Sequence, residues 1–306
     1  MVFSRPAAII ESCLFDSHFK EENIMQYLIL IVTVLTVSSQ SILMKQYNQK
    51  SSSANPYLFS AITVLFAMLF FILSAGSGLH FAGELVPYAV GFAIAYGAAQ
   101  VGLNLAIATG SLAISSLVSS YSLLIPTFYG LLFLKESLKA TAYIGIVLLF
   151  LSLYFINMKK EAMSFSVKWL VYLILAFVGN GMCSTVQKMQ QLKFDGGYKN
   201  EFMIISYACV FLIMLIILVI KRTDIKGLLK KCLIFAAPTG LANGATNLFV
   251  MILTGLLPTA LLFPTVSAGG SLIMFFVSRF LYKEKIAGKQ LLGYGLGVVS
   301  VVLMNL

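Results

Sequence analysis

Ser41-Ile-Leu-Met-Lys45 recurs as Ser184-Thr-Val-Gln-Lys188, 143 positions further along the chain. The same offset carries Ala93, Gly97, Ala99, Gln100, Asn104 and Leu105 onto Ala236, Gly240, Ala242, Asn243, Asn247 and Leu248. Later in each copy, Lys135-Glu136 and Gly145 match Lys283-Glu284 and Gly293 at an offset of 148, and the five extra residues fall around Thr254-Gly-Leu-Leu-Pro258. The chain therefore reads as a duplication. Outward from these anchors, apolar stretches lie near 26–46, 56–75, 85–108, 111–134, 140–158, 167–188, 200–221, 232–253, 258–281 and 286–306. A helix crossing the hydrocarbon needs about 20 such residues. Five stretches fall in each copy, and an odd number of crossings reverses the second copy relative to the first. The expected fold is all-α integral membrane: ten transmembrane helices as two inverted five-helix repeats, over residues 25–158 and 159–306. Inverted repeats mark carriers that expose a mid-membrane site to each side in turn.

Composition agrees. Hydrophobic residues make up 59% of the chain and charged residues 10%, with a mean hydropathy of +0.94. A soluble domain has about a quarter of its residues charged, so the chain belongs to the membrane class. The net charge of +10 is spread over short connections such as Lys159-Lys160, Lys221-Arg222 and Lys230-Lys231. That pattern serves orientation and anionic headgroups rather than nucleic acid. Cys13, Cys183, Cys209 and Cys232 have no CxxC spacing and read as small buried thiols, with no metal site or disulfide framework. Residues 1–24, with Arg5, Glu11, Asp16, Lys20, Glu21 and Glu22, read as a disordered or amphipathic extension ahead of a natural start at Met25. The connections after spans one, five, seven and nine hold 14 of the 21 Lys and Arg, which by the positive-inside rule puts both termini outside.

A small-residue fourth span with proline, from Ser115 to Pro126, runs into Leu134-Lys-Glu-Ser-Leu138 and then Gly145. Its copy runs from Pro264 through Tyr282-Lys-Glu-Lys-Ile286 to Gly293. In this the chain resembles the drug/metabolite transporter superfamily, in its ten-span branch of two EamA-type repeats. The resemblance covers nearly everything from Met25. It implies a secondary-active carrier of small metabolites or drugs in a plasma or inner membrane, exporting or exchanging them. Members differ widely in cargo, so substrate does not follow from fold. Eukaryotic relatives carry both termini in the cytosol, the opposite of what the charge count gives. A flippase for a lipid-linked or lipid phosphate substrate is the alternative, since related folds move such cargo.

Polar side chains in lipid are costly and face a cavity or another helix. Asn180, Ser184 and Lys188 share one stripe of the sixth span; Ser41 and Lys45 mark the equivalent stripe of the first, beside Gln40. Gln100 and Asn104 share a face of the third span, and Asn243 and Asn247 a face of the eighth. Ser119 and Tyr121 in the fourth span and Ser267 in the ninth complete the expected substrate-binding set. Neutral amides both donate and accept, which suits a polar or zwitterionic cargo. Each of these residues has a second reading as interhelical glue. Lys45 and Lys188 are either interfacial anchors, their stems laid along apolar surface, or paired cationic holds for an anionic group. Glu136 and Glu284 are either helix-end pairs or gates.

Other classes fall away. With His18 and His80 as the only histidines there is no HExxH and no GxSG element beside a catalytic histidine. No Walker motif and no cofactor motif is present. No Asp or Glu stands mid-span, unlike the four-span multidrug relatives with their proton-exchanging carboxylate. The expected partners are a small-molecule substrate and membrane lipids, with the protein a monomer or homodimer.

Overall fold

The structure, a computed structural model, describes residues 6–51, 55–76, 78–109, 118, 121–156, 166–223, 225–281 and 288–305. Among these, no strand occurs and the helices follow one another with short connections. They are α1 (Pro6–Lys50), α2 (Pro56–Ala75), α3 (Val86–Thr109), α4 (Leu124–Phe128), α5 (Ala140–Ile156), α6 (Val167–Lys193), α7 (Lys199–Ile220), α8 (Ile225–Leu256), α9 (Thr259–Phe276) and α10 (Gly288–Asn305). Among the described residues, six helical stretches are long and apolar enough to cross a membrane: Met25–Lys50, Pro56–Ala75, Gly83–Ala106, Val167–Lys193, Lys199–Ile220 and Ile225–Leu256. The chain is a multi-pass membrane protein. Shorter apolar helices cover Tyr121–Phe133, Ala140–Phe155 and Gly288–Met304.

Local chemistry sets the ends. Asn55 caps α2, its side-chain oxygen accepting from Tyr57 N and Leu58 N at 3.0 Å each, with Pro56 in the first turn where it forfeits no helical bond. Ser166 caps α6 by accepting from Trp169 N at 3.2 Å. The turn from α6 to α7 uses left-handed backbone at Asp195, Gly196 and Tyr198. Helix α1 starts at Pro6 and so takes residues 6–24 into one continuous helix; they contain no glycine, and their single proline stands at the first helical position, so nothing breaks the helix. Helix α4 ends in a π turn at Tyr129–Phe133 and α9 in another at Val277–Leu281. Ser111, Ser115, Ser116, Ser119, Ser120, Lys283 and Glu284 lie outside the described residues.

Packing joins distant parts of the chain. Helix α3 lies along α6, α1 along α8, and α5 along α10; α2 packs on α7 and α8, α3 also on α7, α9 on α1, and α4 on α6 and α9. The main apolar cluster sits among α2, α3, α7 and α8, where Phe92 meets Phe202 edge-on at 5.8 Å and Phe71 leans on Tyr207. Outward faces carry exposed Leu73, Phe133, Val219 and Ile220, as helices in contact with lipid require. Close approach of backbones depends on small residues. A side chain at Gly179 of α6 would place its Cβ 2.6 Å from Ala95 O of α3, and one at Gly145 of α5 would meet Ser300 O of α10 at 2.8 Å.

Gly179→Val is accordingly expected to destabilise the purified protein by about 1–3 kcal/mol, the usual cost of overpacking. Gly83→Ala, with open space around it, is expected to leave the melting temperature unchanged in the same detergent.

Candidate functional site

Helical periodicity places Thr36 and Gln40 on one face of α1, and Asn243, Thr246 and Asn247 on one face of α8. Because α1 lies along α8, the two faces meet. Asn243 Nδ2 donates to Gln40 Oε1 at 2.9 Å, and Gln40 Nε2 donates to Thr246 Oγ1 at 2.8 Å. Thr246 Oγ1 lies 2.8 Å from Thr36 Oγ1. Tyr207 Oη of α7 donates to Asn243 Oδ1 at 2.6 Å. Asn247 Nδ2 donates to the Asn243 carbonyl at 2.9 Å, while its own Oδ1 accepts from Gln187 Nε2 of α6 at 2.7 Å. One hydrogen-bonded network thus links α1, α6, α7 and α8, and every side chain in it is uncharged. Where hydrocarbon replaces water these groups have only each other as partners.

The α3 amides are less completely paired. Gln100 Oε1 is 3.5 Å from Ser60 Oγ of α2, and Asn104 Nδ2 is buried with no partner. On α6, Asn180 Nδ2 donates to Ser122 Oγ at 2.7 Å. Ser184 and Lys45 are half-buried, and Lys45 is not free of partners. Ser267 is half-buried on α9. Ser41 faces outward and donates back to Val37 O of its own helix at 3.3 Å. Tyr121 Oη donates to Phe150 O at 2.9 Å, which ties it to α5.

A second cluster surrounds Lys188. Its side chain is 8% exposed, and its Nζ donates to Thr254 O near the end of α8 at 2.7 Å. The same Nζ lies 3.8 Å from Glu136 Oε1. Glu136 follows left-handed Lys135 in the connection between α4 and α5, and its own N–H donates to Gly130 O at 3.1 Å. Its carboxylate caps α9: Oε1 accepts from Thr259 N at 2.9 Å and from Thr259 Oγ1 at 2.7 Å, and Oε2 from Ala260 N at 3.1 Å. A negative charge at a helix amino terminus also meets the favourable end of the helix dipole. A cavity of about 380 Å³ adjoins Lys188, lined by Gln191, Asp195, Lys199, Thr254 and Leu256 among others. Among the described residues no group of three His, Cys, Asp or Glu is placed to hold a metal.

The structure therefore brings Gln40, Asn243 and Asn247 together and leaves Ser41 and Tyr121 apart from them. Tyr207, Thr36, Thr246 and Gln187 belong to the network although the sequence reading did not select them. Thr246 and Gln187 carried a signal, standing three residues from Asn243 and beside Lys188. Tyr207 carried none, because its polar tip gains meaning only from the helix opposite.

No protein-family model matches the sequence, and no curated protein matches it. One solved crystal structure, of a protein described without a function, superposes with a TM-score of 0.73 at 13% identity, covering 92% of this chain and 98% of that one. The helix arrangement is thus one already seen by crystallography over nearly the full length of both chains.

Asn243→Ala is expected to cost about 1–3 kcal/mol, because it strands the Tyr207 hydroxyl and the Gln40 carbonyl oxygen. Ser41→Ala removes only an exposed bond within its own helix, and its shift in a thermal melt is expected to stay under about 0.5 kcal/mol.

Proposed function

We propose that the chain is a secondary carrier of small polar metabolites or drugs, working by alternating access between two inverted five-helix halves. The observation that carries this reading is the pattern of helix neighbours. Exchanging each helix for the one five places away turns the α1–α8 contact into α6–α3, α2–α8 into α7–α3, and α4–α6 into α9–α1. The α2–α7, α4–α9 and α5–α10 contacts map onto themselves. The π turns at Tyr129–Phe133 and Val277–Leu281 are separated by 148 positions, the offset of the sequence repeat. Both features support a pseudo-twofold relation between the halves, which is the frame of an alternating-access carrier. The resemblance to the ten-span EamA-type branch of the drug/metabolite transporters points the same way.

The uncharged Gln40, Asn243, Asn247, Gln187 and Tyr207 network favours a cargo that donates and accepts hydrogen bonds without net charge. Lys188 is already compensated by Glu136 and Thr254 O, which argues against its holding an anion in this conformation. A flippase for lipid-linked or lipid phosphate cargo is the second reading. Two apolar grooves favour it, one of about 410 Å³ beside Ile31, Val34 and Ile273, the other of about 520 Å³ beside Phe128, Phe177 and Met189.

The test is a panel of amino acids, sugar phosphates, nucleotides, organic cations and lipid phosphates, read first by thermal stability and then by flux into proteoliposomes. A ligand at a hundredfold excess over Kd stabilises by about 2.7 kcal/mol. A neutral or zwitterionic water-soluble compound is expected to stabilise the protein and to be exchanged, and Asn243→Leu is expected to abolish both effects. Stabilisation by lipid phosphates alone would move the reading to the flippase. Flux of nothing in the panel would count against both.

A further inference from the structure

Glu136 belongs to the first sequence repeat, whereas Lys188, Thr254, Thr259 and Ala260 all belong to the second. Each contact of this carboxylate named above therefore crosses from one repeat to the other. The two side chains are only 8% and 12% exposed, so little water competes for them and the pair acts in a low-dielectric setting. Lys188 also holds the last turns of α8 through Thr254 O, and Glu136 holds the first turn of α9. Both sides of the Leu257-Pro258 turn are thereby fastened to a single ion pair.

We propose that the Glu136–Lys188 cluster is a gate between the two halves, closed in this structure. The proposal rests on the carrier reading above and names residues that would control its cycle. Opening this end requires the carboxylate to leave the α9 amino terminus. Water must then reach Thr259 N, Thr259 Oγ1 and Ala260 N, because buried donors without partners are costly. The cluster is consequently either made or parted, as a two-state element should be. The repeat supplies its counterpart in kind: Lys45 and Glu284 occupy the positions equivalent to Lys188 and Glu136.

The experiment uses the full-length protein with its native cysteines replaced and a cysteine at Ala260, a position 0% exposed in the closed form. The rate of modification by a membrane-impermeant maleimide reads opening. Glu136→Gln and Lys188→Met are each expected to raise that rate about tenfold, a shift of one decade in the open population. Unchanged labelling with a lowered melting temperature would make the cluster a static helix cap and overturn the proposal. A rise of the same size in Gly179→Val, a packing change at the α3–α6 contact away from the cluster, would mean general loosening and would also overturn it. Should Lys188→Met fail to fold, Glu136→Gln, which keeps one oxygen to accept from α9, gives the same reading. No transported ligand is needed. A labelling response without flux therefore sinks the carrier reading alone, and flux without a labelling response sinks the gate alone.

Discussion

Gln40 reaches across from α1 to Asn243 and Thr246 of α8 because hydrocarbon offers a buried amide no other partner. The rest of the structure is organised around that constraint. Apolar side chains line the outside of the helices, where lipid is the solvent, and give little reason for one helix to prefer another. Preference comes from small residues that admit close backbones, as at Gly179 and Gly145, and from polar groups that must be paired. The result inverts a soluble fold. Its apolar residues are indifferent to their surroundings, and its few polar residues decide the arrangement.

Charge follows the same rule more severely. An isolated ammonium or carboxylate at this depth would be several kcal/mol unfavourable, so Lys188 and Glu136 come as a compensated set with the Thr254 carbonyl and the α9 amino terminus. The set includes backbone groups from two helix ends, which lets a loop residue hold α8 and α9 at once. Such a cluster is stabilising only while it is complete. That makes it suited to a contact that is wholly formed or wholly broken.

Much of the fold was legible beforehand. Glycine at Gly76, proline and asparagine at Asn55-Pro56, and serine at Ser166 mark helix ends by local chemistry, and the apolar runs between them are plain. The faces carrying amides were legible too, since a spacing of three or four residues fixes a helical face without reference to anything else. What the sequence left ambiguous was the side chain with two physically sensible fates. Lys188 near a helix end reads as an interfacial anchor or as a cationic hold, and only the approach of the α4–α5 connection gives it Glu136 as a partner. Ser41 matched its repeat partner and still turned outward to bond its own helix.

The sequence by itself determined the membrane class, the helical character of the apolar stretches and the faces on which polar residues stand. These follow from hydropathy and from the 3.6-residue turn, both of which act over neighbouring residues. Tertiary structure alone decided which face meets which: Gln40 with Asn243, 203 residues away, Lys188 with Thr254, 66 away, and Glu136 with Thr259, 123 away. Those pairings depend on how whole helices pack, because spacing along a helix fixes the face on which a polar residue stands but not the helix that face will meet.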